Sequence, residues 1–358
     1  MRVVLAPDSF KGTITATDAA RALADGWRSV RPDDELVARP MADGGEGTLA
    51  AVAAALPGTT EHDVPRCTGP DGRPVTGRYA LLPDGTALVE LAVASGLPLM
   101  SRPAPLTATT RGTGETVAAA LDAGARRLTV ALGGSASTDG GTGLLTALGL
   151  RLTDVRGSEL PDGGGALARA HRVDATGLRP APPEGVVLLT DVTNPLLGPD
   201  GAAAVYGPQK GADPDEVALL DQGLSRLAAL LGADPARPGS GAAGGTAYGL
   251  AAAWGAVIRS GAAAVADLLG LDRAIATADL VITGEGRYDA TSLRGKAVGE
   301  VLARAALAGV PARVVAGESA DDRVLTLSAL AGDPASAREH ARTWLVRAGA
   351  RLARDARG

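Results

Sequence analysis

Short runs rich in valine and leucine alternate with alanine-rich stretches along this 358-residue chain. The alternation is typical of an α/β protein with a largely parallel sheet. Six of the runs lead into loops of glycine, acidic residues and small hydroxyl side chains, and they span 2–6, 36–41, 128–132, 186–190, 280–283 and 314–316. Because ligands of open α/β sheets bind outside the carboxyl ends of the strands, these loops predict a binding site at one sheet edge.

The segment from Gly72 to Leu97 has a different pattern. It predicts two or three antiparallel strands, with Asp84-Gly85 as the turn of a hairpin. We therefore expect two domains, a discontinuous parallel-sheet domain at 1–63 and 265–358 and a mixed α/β domain inserted at 64–264.

The composition argues against several classes of protein. The net charge of −5 and the 2% of aromatic residues argue against binding to nucleic acid, which calls for a basic face or stacking rings. The single cysteine, Cys67, excludes an internal disulfide bond and a thiolate metal cluster. No signal peptide or membrane span is predicted, so we expect a cytoplasmic protein without membrane association. The sequence leaves open whether the protein forms a homodimer.

Lysine is rare in this chain. Only three of the 35 basic residues are lysine, namely Lys11, Lys210 and Lys296, and each stands next to a glycine. Lysine supplies a compact charge to phosphate, which the broad guanidinium of arginine does not always replace. We therefore expect at least two of the three lysines to contact a ligand. The alternative is that they are ordinary exposed residues of turns.

Four aspartates follow predicted strands at the expected ligand edge: Asp43, Asp139, Asp191 and Asp289. Carboxylates beside glycine loops and lysines would repel a phosphate unless a divalent cation lay between them. The combination therefore indicates phosphoryl transfer with Mg²⁺. For each aspartate the alternative is a helix cap or a turn, as we expect for Asp18 with Thr17 and for Asp162.

Other catalytic and nucleotide-binding motifs are absent or out of place. The chain lacks the Walker-type phosphate loop, the motifs of protein kinases, a zinc-type histidine spacing and a serine nucleophile elbow. Residues 239–244 match G-x-G-x-x-G, but they follow a proline-rich loop rather than a strand. We expect them to form a loop that opens a helix.

The polar loops contain long motifs whose order and spacing are those of one known family. The motifs are 6–12 (Ala-Pro-Asp-Ser-Phe-Lys-Gly), 40–48 (Pro-Met-Ala-Asp-Gly-Gly-Glu-Gly-Thr), 110–115 (Thr-Arg-Gly-Thr-Gly-Glu), 133–136 (Gly-Gly-Ser-Ala), 139–141 (Asp-Gly-Gly), Asp191, 194–195 (Asn-Pro), 207–211 (Gly-Pro-Gln-Lys-Gly) and 283–287 (Thr-Gly-Glu-Gly-Arg). From Met1 to about Gly317 the chain resembles the bacterial type I glycerate kinase family. All three lysines fall inside or beside these motifs.

The resemblance implies ATP-dependent, Mg²⁺-requiring phosphorylation of D-glycerate, usually on the 2-hydroxyl, to give 2-phosphoglycerate. It also implies two α/β domains, one of them discontinuous and flavodoxin-like or Rossmann-like, the other inserted, with the site in the cleft between them. Two alternatives stay open: a kinase of the same fold that acts on another small hydroxy acid, and a non-catalytic module that binds a nucleotide or an anion. The intact set of acids and lysines argues against the second, because a binding module needs no proton-accepting acids beside a phosphate.

Three places depart from the family pattern. Thr138 stands where the family usually has asparagine, Thr193 stands where it often has aspartate, and 292–296 (Ser-Leu-Arg-Gly-Lys) replaces a more usual Thr-Leu-His-Gly-Lys. The missing acid at position 193 argues against a magnesium site with two carboxylates in that loop.

Residue chemistry suggests which groups would hold the anions. Lys11 and Lys210 would neutralise the transferring phosphoryl group or the substrate carboxylate, and the planar guanidinium of Arg287 would bind that carboxylate through two hydrogen bonds. Residues 133–135 and 140–141 would offer backbone N–H groups to the nucleotide phosphates.

Asp191 is the first candidate for accepting the hydroxyl proton or holding Mg²⁺, with Asn194 in support. Asp43 and Glu46 compete for the same two roles. The candidate residues are, for catalysis, Asp191, Lys11, Asp43 and Lys210; for metal, Asp191 and Asp43; for substrate, Asp8, Ser9, Glu46, Asn194, Arg287 and Asp289; and for the nucleotide, Gly133, Gly134, Ser135, Asp139, Gly140, Gly141, Glu285 and Lys296.

Overall fold

The structure, a computed structural model, describes residues 1–293 and 296–356. Its strands are β1 (Arg2–Pro7), β2 (Glu35–Ala38), β3 (Thr60–Thr68), β4 (Pro74–Leu81), β5 (Thr86–Glu90), β6 (Arg127–Ala131), β7 (Arg151–Thr153), β8 (Arg172–Asp174), β9 (Val186–Leu189), β10 (Val257–Arg259), β11 (Leu280–Tyr288), β12 (Ala312–Ser319) and β13 (Leu325–Thr326). Its α-helices are α1 (Ala16–Arg28), α2 (Thr48–Ala55), α3 (Leu91–Ser95), α4 (Arg111–Asp122), α5 (Thr142–Ala147), α6 (Ala202–Tyr206), α7 (Pro214–Leu231), α8 (Thr246–Trp254), α9 (Gly261–Leu268), α10 (Leu271–Ile275), α11 (Ala297–Leu307), α12 (Leu327–Ala331), α13 (Pro334–Glu339) and α14 (Ala341–Asp355).

The chain divides into two compact units. Unit 1 comprises Met1–Asp43, Ala50–Pro57 and the chain from Ser260 onwards, and unit 2 comprises Gly44–Leu49 and Gly58–Arg259. The domain limits inferred from the sequence, 1–63 with 265–358 around 64–264, stay a prediction. Of the motif at 292–296, Arg294 and Gly295 lie outside the described residues.

Unit 1 contains a five-stranded sheet in the order β13-β12-β11-β1-β2. Every neighbouring pair in it is parallel. This is the flavodoxin-like order, in which the direction of strand addition reverses between β1 and β11. The predicted α/β class, with a parallel sheet built from distant parts of the chain, is confirmed.

The end of β11 differs from the prediction. The sequence predicted a loop from Gly284 onwards, but β11 stays paired with β12 as far as Tyr288. Glycines make this possible, because a Cβ on Gly284 would lie 2.1 Å from the carbonyl oxygen of Val315, and one on Gly317 would lie 2.3 Å from that of Gly286. The backbones approach too closely there for a side chain at either position.

Helices α1 and α14 pack against each other in unit 1. A Cβ on Gly26 would lie 1.9 Å from the carbonyl oxygen of Val346, so only glycine permits this crossing. Helix α1 begins after Thr15, whose hydroxyl accepts a hydrogen bond of 3.1 Å from the N–H of Asp18. The predicted cap at Thr17 is therefore wrong by two residues.

Unit 2 contains a six-stranded mixed sheet in the order β10-β9-β6-β5-β4-β3. Strands β5, β6, β9 and β10 are parallel, and β4 and β3 are added to them antiparallel. The hairpin predicted at Asp84-Gly85 is confirmed, whereas residues 91–95 form α3 rather than strand. The carboxyl ends of the parallel strands share one edge, which places the loops after Glu90, Ala131 and Leu189 together.

Two loops of unit 2 were singled out in the sequence. Residues 239–244 form turns that lead to α8 without a preceding strand, as expected. Asp162 is more than the turn residue that was predicted, since Nε and Nη2 of Arg111 donate hydrogen bonds of 2.6 and 2.8 Å to its two carboxylate oxygens. This paired contact anchors the start of α4.

Candidate active site

A cavity of about 370 Å³ opens in unit 1 at the carboxyl ends of β1, β11 and β12. It lies where the strand order reverses, which is the place at which flavodoxin-like sheets bind their ligands. The candidate residues that line it are Asp8, Ser9, Lys11, Asp43, Glu285, Arg287 and Lys296. Unit 1 thus brings seven candidates from three distant parts of the chain to one cavity.

Asp8 directly follows β1 and is only 8% exposed. Its Oδ1 accepts a hydrogen bond of 2.6 Å from the N–H of Ser9. Burial and the nearby carboxylate of Asp43 raise the pKa of Asp8 from 3.8 to about 7, although the Ser9 N–H and the ammonium of Lys11 oppose them. A carboxyl group with this pKa exchanges its proton near neutral pH.

Two cations of the cavity, Lys11 and Arg287, are exposed and weakly paired. Lys11 Nζ lies 3.8 Å from Oδ2 of Asp43, and its side chain is 79% exposed. Arg287 Nε lies 3.8 Å from Oδ2 of Asp289, and its side chain is 80% exposed. Since such surface pairs contribute little to stability, both cations can turn towards an anionic ligand at low cost.

Glu285 lies on β11 inside the cavity wall. It is 9% exposed, and its buried Oε1 has no hydrogen-bond partner within the described part of the chain. Burial raises the pKa of Glu285, against a hydrogen bond with Ser292 and the charge of Lys296. Lys296 is the N-cap residue of α11, and its Nζ lies 3.4 Å from Oγ1 of Thr291. A buried acceptor without a donor is costly, so Glu285 is suited to a ligand that brings a donor or a cation.

In unit 2 the side chain of Lys210 is almost fully buried, at 2% exposure. Its ammonium donates hydrogen bonds to Oγ of Ser135 and to the carbonyl oxygen of Ser137. Burial lowers the pKa of Lys210 to about 8, and the carboxylate of Asp139 opposes this shift. Lys210 therefore stabilises the loop after β6 through its hydrogen bonds to Ser135 and Ser137.

Asp139 is completely buried and acts as an acceptor for neighbouring loops. Its oxygens accept hydrogen bonds from the N–H and hydroxyl of Thr110 and from the N–H groups of Gly141 and Gly143. Burial raises the pKa of Asp139, and these donors oppose the shift. The contacts join the starts of α4 and α5 to the loop that carries the candidate glycines.

The backbone N–H groups of the candidate glycines are partly engaged. Those of Gly133 and Gly140 donate to the carbonyl oxygens of Gly44 and Gly244, and that of Gly141 donates to Asp139. These three glycines therefore hold the loops in place. Gly134 is exposed and Ser135 is 9% exposed, and the N–H groups of these two positions remain candidates for contact with a ligand.

Asp191 and Asn194 lie in the loop after β9. Asp191 is half-buried. The side-chain amide of Asn194 donates a hydrogen bond of 2.8 Å to the carbonyl oxygen of Asp200, and its side-chain oxygen accepts one of 2.7 Å from the hydroxyl of Tyr206. Asn194 thereby braces its own loop.

The sequence matches the profile of the glycerate kinase family over residues 3–355. The chain belongs to the glycerate kinase family. It is 43% identical over 305 residues to glycerate 2-kinase of Escherichia coli K12, covering 83% of this chain and 80% of the relative. It is also 43% identical over 331 residues to glycerate kinase of Bacillus subtilis 168, covering 90% and 86% of the two chains.

The fold agrees with this membership of the glycerate kinase family. A crystal structure described as glycerate kinase 2 from Salmonella typhimurium LT2 superimposes with a TM-score of 0.85 at 37% identity, covering 99% of both chains. The chain is thus an enzyme, a phosphotransferase of the glycerate kinase family. None of its described helices is long and apolar enough to cross a membrane.

One carboxylate of this glycerate kinase family member was missed in the sequence. Glu90 ends β5, is 5% exposed and accepts hydrogen bonds from the N–H groups of Gly47 and Leu49 at 2.9 and 3.1 Å. It thereby holds the turn of the exposed candidate Glu46 and the start of α2. Its position directly after the apolar run 87–89 is the same signal that singled out Asp191.

Proposed function

We propose that the chain is an ATP-dependent, Mg²⁺-requiring kinase that phosphorylates D-glycerate on its 2-hydroxyl group to give 2-phosphoglycerate. Family membership and the name of the Escherichia coli relative, glycerate 2-kinase, support the acceptor and the position. The observation that carries the proposal is the grouping of Asp8, Asp43 and Lys11 on one cavity of unit 1. Phosphoryl transfer needs both a cation and carboxylates next to the ligand.

Three kinds of hydrogen-bond donor would bind the anionic groups of D-glycerate and ATP. Arg287 would bind a carboxylate through two hydrogen bonds, and Lys11 would neutralise the transferring phosphoryl group. The N–H groups of Gly134 and Ser135 would donate to an anionic oxygen of either ligand. Lys210, which is 2% exposed and donates a hydrogen bond to Ser135, would act through that serine.

The donor set fits an Mg²⁺ ion that is shared with nucleotide phosphates. Within residues 1–293 and 296–356, no group of three or more histidine, cysteine, aspartate or glutamate side chains is arranged to hold a metal ion. Mg²⁺ usually takes only one or two carboxylates and fills its other positions with water and phosphate oxygens. Asp43 would hold the ion, which neutralises charge on the transferring group when bound.

The hydroxyl proton of the acceptor needs a base. Asp191 is the proposed acceptor of that proton, held in a loop that Asn194 braces. In the competing assignment Asp191 holds the metal ion and Asp43 accepts the proton. Asp8, Ser9, Glu46 and Asp289 would contact the substrate.

The test is to incubate the protein with Mg-ATP and D-glycerate and to follow the reaction by phosphorus NMR. We expect a phosphomonoester signal that grows together with ADP and coincides with authentic 2-phosphoglycerate. A signal that coincides with 3-phosphoglycerate would overturn the proposed position. Absence of turnover by a folded protein would overturn the proposed acceptor, and a screen of other small hydroxy acids would then identify the substrate.

A further inference from the structure

The cavity of unit 1 has two chemically different ends. One end holds the acids and cations described above. The other is built by Leu327, Pro334, Ala337 and Ala341, which come from α12, α13 and α14. The proposed function assigns no task to this second end.

The cavity is larger than a three-carbon acid requires. Its volume of about 370 Å³ falls within the range of sites that enclose drug-sized ligands, about 300 to 1,000 Å³. A glycerate molecule at the charged end would leave the apolar end empty. The second ligand of a phosphotransferase, its nucleotide donor, has a large apolar part that needs such a surface.

Three of the four side chains of the apolar end are small, those of Pro334, Ala337 and Ala341, and glycine backbone lines the cavity beside them. Ala337 and Ala341 are 3% and 5% exposed, and Leu327 is 1% exposed. Gly286 and Gly317 form part of the floor and add no side chains. Small side chains beside glycine backbone leave room there for a ring, and this part of the cavity is called the slot below.

The rim of the slot carries charge that suits a ribose. Glu318 and Arg338 both line the cavity, and Nη1 of Arg338 lies 2.7 Å from Oε1 of Glu318. A carboxylate at the end of a parallel strand can accept hydrogen bonds from ribose hydroxyls. The charged end beyond it, with Lys11 and Lys296, suits the phosphates.

We propose that the apolar end of the unit 1 cavity binds the base of the nucleotide donor and that Ala337 and Ala341 set the width of this slot. The inference rests on the proposed use of ATP. It adds a base-binding surface on α12, α13 and α14 to candidate residues that lie in polar loops and on β11.

The first test uses the unaltered protein with 8-azido-ATP as a photoaffinity probe in the presence of Mg²⁺. We expect the label in the tryptic peptide 324–338, which contains Leu327, Pro334 and Ala337, and we expect excess ATP to prevent labelling. Labelling confined to other peptides, or labelling of 324–338 that ATP does not prevent, would overturn the inference.

The second test fills the slot by substitution. Ala337→Leu should raise the KM for ATP about tenfold or more, since it places three further carbons in a tightly packed space, and should leave the KM for D-glycerate unchanged. The control is Ala335→Leu on the exposed side of the same short helix, which should leave both KM values unchanged. An Ala337→Leu variant that folds and binds ATP normally would contradict the inference. If that variant does not fold, the labelling result decides.

Failure of the inference and failure of the proposed function give different results. Phosphoglycerate formation with the label elsewhere overturns the base site and leaves the kinase assignment intact. ATP-protected labelling at 324–338 without phosphorylation of D-glycerate supports the base site and overturns the acceptor.

Discussion

The ammonium of Lys210 donates a hydrogen bond of 2.9 Å to the hydroxyl of Ser135, although the two residues are 75 positions apart. Ser135 follows two glycines in the loop after β6, and its side chain is 9% exposed. The buried ammonium of Lys210 orients this hydroxyl and places a positive charge next to the loop after β6. We therefore propose that Lys210 acts on a ligand through Ser135, as a positioning residue.

Replacing Lys210 with methionine should lower kcat/KM for ATP by about tenfold to a hundredfold, the range expected for loss of a charged hydrogen bond. The wild-type rate should fall as the pH rises through about 8, because Lys210 then loses its proton. Lys210→Met should lack that decline. Steady-state kinetics between pH 6 and about 9.5 measure both effects. If the rate of Lys210→Met still falls above pH 8 as that of the wild type does, the proposed role of Lys210 is refuted.

Ser135→Ala provides a matched measurement for the same contact. If Lys210 acts through Ser135, the variant that carries both Lys210→Met and Ser135→Ala should lose little more kcat/KM for ATP than Lys210→Met alone. The reason is that the two substitutions remove the same interaction. Losses that simply add would show that the lysine acts independently of this serine.

Asp8 should make stability depend on pH. Its pKa is about 7 in the folded protein and near 3.8 when unfolded, so the folded state retains a proton that the unfolded state loses. The wild type should therefore lose stability as the pH rises from about 4 to 7, and by no more than about 4 kcal/mol. Asp8→Asn should remove this loss.

Thermal unfolding at pH 4 and pH 8 measures the effect. Asp8→Asn should unfold at a higher temperature than the wild type at pH 8, and the difference should shrink towards pH 4. The control is Asp215→Asn at an exposed position, which keeps Asp8 and should therefore lose stability with rising pH as the wild type does. A melting temperature of Asp8→Asn that falls in parallel with the wild type would show that Asp8 is ionised throughout.

Asp191→Asn separates proton acceptance from metal binding. If Asp191 is the general base, Asp191→Asn should lower kcat by about 10²-fold or more and should change little the Mg²⁺ concentration needed for half-maximal rate. As a metal ligand, it should instead raise that Mg²⁺ concentration. Turnover near the wild-type level would remove Asp191 from both roles.

Glu90→Ala should destabilise the protein by about 1 to 3 kcal/mol, because it leaves the N–H groups of Gly47 and Leu49 without an acceptor. Glu90→Gln keeps one acceptor oxygen and should lose less. The exposed Glu339→Ala serves as control and should change the melting temperature little. Equal melting temperatures for Glu90→Ala and Glu339→Ala would show that the contacts at α2 contribute nothing.

The alternation of apolar runs and alanine-rich stretches was sufficient to predict an α/β protein with a parallel sheet. It could not predict that β11 extends to Tyr288, because Gly284 and Gly286 are typical of loops as well as of places where strands approach closely. That distinction depends on β12, which the chain supplies some 30 residues later.

The candidate site was predictable where chemistry and position coincide. Asp8, Lys11 and Asp43 share one cavity, as the loops at the strand ends suggested. Burial was not predictable: the sequence does not distinguish the exposed Lys11 from the buried Lys210, or show that the N–H groups of Gly140 and Gly141 are engaged. The roles of the remaining candidates stay predictions.

The backbone floor of the unit 1 cavity limits how its ligand preference can be altered. At Gly317, which lines the cavity, an added Cβ would lie 2.3 Å from the carbonyl oxygen of Gly286, so this position cannot be used to redesign the pocket. Substitutions meant to change the donor preference through the proposed base site therefore belong on the walls, where α13 is short and joined to its neighbours by one or two residues. Directed evolution of a donor preference should therefore concentrate its libraries on residues 327–341 and leave the sheet untouched.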